Sequence, residues 1–193
     1  MDDFILFLKL GLYHVLDWQA YDHILFLIVL TVIYTLHDWK KVLWLITLFT
    51  LGHTLTLALA AYKIITININ IIEFLIPVTI LITALVNILT IKKRPSKVNN
   101  INLFFAFFFG LIHGLGFSNY FRMIIEDSEA KLIPLLEFAI GIEIAQLVIV
   151  LGILFLGYIA QNILKISKRD WVLILSSIVI GVVIPMLTER KIW

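Results

Sequence analysis

Long apolar runs dominate this chain and set the strongest constraint on its fold. A helix needs about 20 mostly apolar residues to cross the hydrocarbon core of a bilayer, and several of the runs reach that length. Only 15% of the residues are charged, whereas a soluble domain normally carries about 25%. We therefore expect lipid to cover most of the surface. The apolar blocks are Asp22–Leu36, Val42–Tyr62, Ile71–Ile91, Ile101–Phe117, Leu132–Leu164 and Trp171–Leu187.

A further apolar stretch, Phe4–Leu16, precedes these blocks and is too short to span a bilayer comfortably. The residues before it lack the basic region of a secretory signal, so we expect this stretch to be retained as a short helix. The predicted fold is all-α: a polytopic membrane helical bundle of six transmembrane helices plus a short N-terminal helix. We expect residues 1–193 to form a single integral membrane domain.

Basic residues predict the orientation, because Lys and Arg accumulate in cytoplasmic loops. The loops after the first, third and fifth predicted spans carry more of them than the loops on the opposite side. We therefore expect a multi-pass protein of the bacterial cytoplasmic (inner) membrane. The richer side has Lys40, Lys41, Lys92, Lys93, Arg94, Lys97, Lys165, Lys168 and Arg169, and the other has Lys9, Lys63, Arg122, Lys131, Arg190 and Lys191.

Ionisable side chains within or beside the apolar blocks are the main functional signal. Each costs a few kcal/mol or more in hydrocarbon, so such groups usually mark a pathway, a partner or a ligand. Counting about 1.5 Å per helical residue places all of them in one slab near the periplasmic side. Glu73 and Glu137 lie in this slab, and the candidate metal-handling residues there are His14, Asp22, His23, His53, His113 and Glu143.

Each residue of this set also has a plain structural explanation. A histidine can join two helices by a hydrogen bond, and an acid at a helix start is favoured by the helix dipole. Glu143 is the hardest to explain in this way, because a carboxyl at its depth needs a cation, a proton or a donor. Convergence of the whole set favours a functional site, with Gly110, Gly114 and Gly141 allowing close packing or gating.

Imidazole and carboxylate ligands together suit Ni, Co, Zn, Cu or Fe. The chain has no cysteine, which excludes thiolate metal sites and cysteine nucleophiles. We expect the bound species to be a divalent transition metal ion (Ni, Co or Zn) and the other partner to be the lipid bilayer. No basic patch with interleaved aromatics points to nucleic acid, and the sequence leaves the oligomeric state open.

Five short segments carry histidine or acidic residues, four of them together with glycine: Gly11–His14 (GLYH), Tyr21–Phe26 (YDHILF), Phe49–Leu57 (FTLGHTLTL), Phe109–Phe117 (FGLIHGLGF) and Ile140–Gln146 (IGIEIAQ). These segments resemble the HupE/UreJ family of membrane proteins. This resemblance implies about six spans and a nickel or cobalt permease that handles metal through its histidine and acidic motifs. Carried over, it implies metal-handling roles for His14, Asp22, His23, His53, His113 and Glu143.

The leading hypothesis is a membrane permease for nickel, with cobalt or zinc as alternatives. His14, Asp22 and His23 would capture the ion at the outer mouth, and the remaining three would hold it deeper. No GxxxxGK[ST] motif for ATP binding is present.

The alternative is an intramembrane zinc-dependent hydrolase acting on a lipid or membrane-embedded substrate, with Asp22 or Glu143 as the base. The inner halves of the spans carry little polarity beyond Asn87, which counts against a continuous route and favours the hydrolase. A sensor or assembly factor is a third reading.

Overall fold

Seven α-helices form the described part of the chain, which the computed structural model covers at residues 2–17, 21–91, 100–125 and 131–190. No strand occurs in these ranges, and the predicted all-α fold is confirmed. A short 3-10 helix, Leu36–Asp38, leads into α3. The α-helices are α1 (Asp2–Leu16), α2 (Asp22–Thr31), α3 (Trp39–Ala61), α4 (Ile69–Thr90), α5 (Asn100–Ile124), α6 (Leu132–Asn162) and α7 (Lys168–Glu189).

Five of these helices, α3 to α7, are long and apolar enough to cross a membrane. They correspond to the second to sixth predicted spans. Helix α5 continues past its predicted end at Phe117 to Ile124. Helix α6 has 31 residues, a length of about 46 Å at 1.5 Å per residue. Because this exceeds the roughly 30 Å hydrocarbon core, α6 must tilt or project beyond it, as the sequence predicted.

The first predicted span differs from the structure. The block Asp22–Leu36 contains only the ten-residue helix α2, about 15 Å long and half the thickness of the core. After a turn, the backbone nitrogen and hydroxyl of Thr35 donate to Asp38 Oδ2 at 3.3 and 3.0 Å, which caps the start of the next helical segment. The 3-10 helix Leu36–Asp38 therefore leads into α3, the second predicted span, instead of extending α2.

Helix α2 lies inside the bundle. Eight of its residues are buried, on every face of the helix, as expected of a helix that is apolar all round. Near its end, the Asn87 amide of α4 donates to the carbonyl of Val29 at 2.6 Å. Asn87, the one polar residue noted in the inner half of a predicted span, thus ties α4 to the short helix.

Glycines bring α3 and α5 into backbone contact. A Cβ at Gly110 would collide with the carbonyl oxygen of Phe49, and one at Gly114 would collide with that of His53. Both contacts advance four residues in the same direction, so α3 and α5 run parallel. Small residues four apart permit such close approach between membrane helices.

Helices α1 and α6 form a second close pair. Gly11 meets the backbone of Phe138, and Gly141 meets the backbone of Leu8. Three residues forward on α1 correspond to three residues back on α6, so these two helices are antiparallel.

Two polar contacts define one end of the bundle. The Lys131 ammonium donates to the carbonyl of Ala61 at 3.3 Å, which places the start of α6 beside the end of α3. Arg190, just after α7, contacts Asp22 at the start of α2. We call this the upper end. The opposite, lower end carries the basic residues Lys40, Lys41, Lys165 and Lys168.

Candidate metal centre

Three histidines from three helices meet near the upper end. His14 lies in the last turn of α1, His23 is the second residue of α2, and His53 lies in α3. One ring nitrogen from each lies within 4.8 Å of the others. The ring centroids are 4.6 Å apart for His14 and His23, 5.6 Å for His14 and His53, and 5.9 Å for His23 and His53. This arrangement could hold a metal ion.

His113 on α5 adjoins these three rings, with its centroid 5.5 Å from that of His23. Its Nδ1 lies 2.9 Å from the carbonyl oxygen of Phe109. A carbonyl can only accept, so Nδ1 carries the proton and Nε2 presents a lone pair. Metal-binding histidines commonly fix their tautomer in this way. We call His14, His23, His53 and His113 the histidine cluster.

Most ring nitrogens of the histidine cluster lack a hydrogen-bond partner among the described residues. Buried polar groups are nearly always paired, and leaving one unpaired costs about 1–3 kcal/mol. It is therefore unusual for a protein core to contain so many neighbouring nitrogens without a hydrogen-bond partner. The six buried nitrogens are His14 Nε2, His23 Nδ1 and Nε2, His53 Nδ1 and Nε2, and His113 Nε2.

Phenylalanines enclose these rings. Phe117 lies nearest, tilted against His14 with the ring centroids 4.1 Å apart, and the ring centroids of Phe26 and Phe49 each lie 5.1 Å from that of His113. Aromatic walls limit the access of water and keep the local dielectric constant low, which strengthens any bond between the imidazoles and a cation.

Backbone packing holds the cluster in place. The contact between Gly114 and the carbonyl oxygen of His53 fixes α3 against α5 at the level of the site. The Gly11–Phe138 contact fixes α1 against α6 one turn before His14. The motif glycines thus control the spacing of the helices that carry the imidazoles.

Asp22 is placed differently from its neighbour His23. Its Oδ2 pairs with Arg190 Nη1 at 2.8 Å, while Oδ1 is buried without a hydrogen-bond partner among the described residues. Asp22 is not one of the three residues whose ligand atoms converge in the described ranges. Sequence reasoning missed Arg190, because it counted that residue only as a loop charge.

Glu143 belongs to a second polar group, between α3 and α6. Its Oε1 accepts a hydrogen bond from Thr47 Oγ1 at 2.7 Å, and Gln146 Oε1 accepts one from Thr50 Oγ1 at 3.2 Å. Within the described ranges Glu143 does not join the converging histidines. We call Thr47, Thr50, Glu143 and Gln146 the oxygen cluster.

Glu143 and Gln146 lie three residues apart on α6 and so share a helical face, but the sequence did not single out the two threonines. Membrane helices often contain threonines that bond only to their own backbone. The available signal in the sequence was the regular spacing of Thr47, Thr50 and His53, which lie three residues apart.

These features define a class: a polytopic helical membrane protein with a histidine cluster inside the bundle. The family model described as HupE / UreJ protein matches residues 1–189. The chain therefore belongs to the HupE/UreJ family, a family associated with metal handling, and the resemblance seen in its motifs is confirmed. The chain matches no curated protein and no solved structure significantly.

Proposed function

We propose that this protein is a permease that admits a divalent transition metal ion across the bacterial cytoplasmic membrane, with nickel as the first candidate and cobalt or zinc as alternatives. The observation that carries the proposal is the set of six buried ring nitrogens in the histidine cluster that have no hydrogen-bond partner in the described part of the chain. One divalent cation would satisfy several imidazole lone pairs at once, whereas the surrounding phenylalanines offer no strong donors.

The proposed ligands are His14, His23 and His53, whose ring nitrogens already converge. His113 would add Nε2 after a small shift, with its tautomer held by the carbonyl of Phe109. Neutral imidazole is a borderline ligand that suits nickel, cobalt and zinc. Moderate affinity without thiolate is also what a transport site needs, because the ion must leave again.

The periplasmic orientation of the site is part of the proposal. Lys40, Lys41, Lys165 and Lys168 lie at the lower end of the bundle, and basic residues favour the cytoplasmic side. The histidine cluster would then lie towards the periplasm, and Asp22 would add negative charge where the ion arrives. Arg190 balances that charge until a cation replaces it.

One observation favours the alternative, a zinc-dependent hydrolase acting on a lipid or membrane-embedded substrate. Asp22 Oδ1 is buried, unpaired among the described residues, and adjacent in sequence to His23. Three histidines and an open coordination position would activate water, and Asp22 would serve as the general base. This mechanism needs no route for the ion to the lower end.

Metal content and flux together test the proposal. We expect the purified protein, equilibrated with Ni²⁺ and desalted, to retain about one ion per chain, as measured by plasma mass spectrometry. His23→Ala and His53→Ala should lose it. His37→Ala is the matched control, because His37 is exposed and lies in the 3-10 helix at the lower end.

Proteoliposomes containing the parent protein should accumulate radioactive nickel faster than empty vesicles, and His53→Ala should abolish the difference. Retention of metal without any flux of nickel, cobalt or zinc would contradict the permease and support the hydrolase. Equal and negligible metal in the parent and the histidine variants would contradict both.

A further inference from the structure

Threonine hydroxyls in the described helices divide into two groups. Most of those with an assigned hydrogen bond donate to a carbonyl three or four residues earlier in their own helix. This is the ordinary way for a membrane helix to satisfy a hydroxyl. The self-bonded threonines are Thr31, Thr56, Thr79, Thr83, Thr90 and Thr188.

Thr47 and Thr50 instead donate across to α6, to Glu143 and Gln146 respectively. These interhelical bonds leave one polar atom of each acceptor residue over. Glu143 Oε2, an acceptor, and Gln146 Nε2, a donor, are buried without a partner among the described residues, and Gln146 has 0% exposure. Of these two atoms only Glu143 Oε2 can bind a cation, so Gln146 would contribute its Oε1. A carboxyl and an amide in hydrocarbon normally find a partner or a ligand.

The oxygen cluster continues the line of the histidine cluster towards the lower end. Thr50 and Thr47 precede His53 by three and six residues, which is about 4.5 and 9 Å along α3. The direction is fixed because α3 finishes at the upper end, beside Lys131. The oxygen cluster therefore extends polarity from the histidine cluster to about the middle of α3, between α3 and α6.

We propose that Thr47, Thr50, Glu143 and Gln146 form a second, oxygen-lined cation site, which receives the divalent ion from the histidine cluster on its way to the lower end. This inference rests on the proposed permease function. Hydroxyl, carboxylate and amide oxygens bind nickel or cobalt more weakly than imidazoles do, and they suit hard divalent cations such as Mn²⁺. A route conducts only when successive sites bind the ion weakly enough to release it.

The charges of the two clusters support this order, in which the ion binds first to the histidine cluster and then to the oxygen cluster. An imidazole ligand must be neutral, so the histidine cluster would bind a dication without neutralising its charge. As a carboxylate, Glu143 of α6 would place a negative charge beside Thr47, about 9 Å below His53 along α3, and this charge would draw the ion onward. The unpaired Oε2 is the ligand atom available for this step, and Thr47 holds the other carboxyl oxygen in place at 2.7 Å.

Binding of Mn²⁺ to the detergent-purified full chain tests this site independently of flux, with electron paramagnetic resonance as the readout. We expect the parent to bind Mn²⁺ and His53→Ala to bind it within about twofold of the parent. Glu143→Gln should weaken binding at least tenfold, as should the double variant Thr47→Val with Thr50→Val. Thr79→Val is the matched control, because Thr79 is buried and bonds only to its own helix.

The same variants separate the two proposals. If the site exists, Glu143→Gln retains nickel on the histidine cluster but carries nickel into proteoliposomes at least tenfold more slowly. Parental Mn²⁺ binding by Glu143→Gln, or no Mn²⁺ binding by the parent, would overturn the second site. Equal loss of Mn²⁺ in His53→Ala and Glu143→Gln would also overturn it, because the two clusters would then be one site. Absence of nickel flux in a parent that still binds Mn²⁺ would overturn the permease alone.

Discussion

The two polar clusters of this bundle differ in chemistry and in the helices that build them. The histidine cluster gathers imidazole nitrogens from four helices, two of which, α1 and α2, are too short to be counted among the candidate spans. The oxygen cluster lies between two long helices, α3 and α6, and contains a carboxyl. Under the proposed function, the short helices help to place the histidine cluster inside the bundle, whereas the two long helices would provide the path of the ion away from it.

The largest expected effect separates the clusters by ligand type. His53→Ala removes a direct ligand, so nickel affinity should fall by more than the roughly 10–100-fold that loss of an outer-shell partner costs. Mn²⁺ binding at the oxygen cluster should stay within about twofold, since its ligands are untouched. Isothermal titration with each metal measures both. Equal losses for nickel and Mn²⁺ would remove the distinction between the clusters.

The next prediction concerns the packing beneath the histidine cluster. A methyl group at Gly114 meets the carbonyl oxygen of His53 and must push α3 from α5. We expect Gly114→Ala to cost about 1–3 kcal/mol of unfolding free energy and to lower nickel affinity about tenfold. Denaturant unfolding in detergent measures the first quantity.

Gly152→Ala is the control for this substitution, because an added Cβ there has nothing within 4 Å. Alanine is the better helix former by up to about 1 kcal/mol, so this variant should be neutral or slightly stabilising. If both glycine variants behaved alike, the close approach of α3 and α5 would not support the site.

A smaller effect should follow from breaking the ion pair at the upper end. Arg190→Gln leaves the Asp22 carboxylate without its charged partner, and loss of a hydrogen bond to a charged group costs about 1.5–3 kcal/mol. Arg190 is partly exposed, so we expect the lower part of that range, with nickel affinity altered only a few-fold.

Adding Asp22→Asn to Arg190→Gln should recover part of the lost stability, because no unpaired charge remains. Arg169→Gln serves as the exposed control at the lower end. A double variant no more stable than Arg190→Gln alone would contradict the coupling between the two residues.

The smallest effect is expected from a single threonine of the oxygen cluster. Thr47→Val removes one interhelical hydrogen bond and should cost about 1 kcal/mol, while nickel bound at equilibrium stays unchanged. Thr79→Val should cost no more than that, because its hydroxyl bonds only within its own helix. Loss of bound nickel in Thr47→Val would indicate that the two clusters form a single site, which would contradict this prediction.

Much of the fold could be predicted from the sequence, because hydropathy reports directly on helices surrounded by lipid. The boundaries of α3, α4, α6 and α7 lie within a few residues of their predicted blocks. The shortness of α2, which has only ten residues, could not be predicted in this way. An apolar block looks the same whether lipid or protein surrounds it, and the capping contact between Thr35 and Asp38 depends on local geometry.

The site was less accessible to prediction. Depth along each helix brought His14, His23 and His53 to one level, and the structure brings their nitrogens together; their role as ligands stays a prediction. Depth alone could not separate Glu143 from them, because it says nothing about which helix a side chain faces. Arg190 was missed because its contact with Asp22 links residues far apart in the chain.

X-ray absorption at the nickel edge tests the central claim most directly, because it identifies the atoms bound to the metal in the intact protein. We predict a first shell that contains at least three imidazole nitrogens and is lost in His53→Ala but kept in His37→Ala and Glu143→Gln. A shell of oxygen atoms alone, unchanged by His53→Ala, would contradict the account.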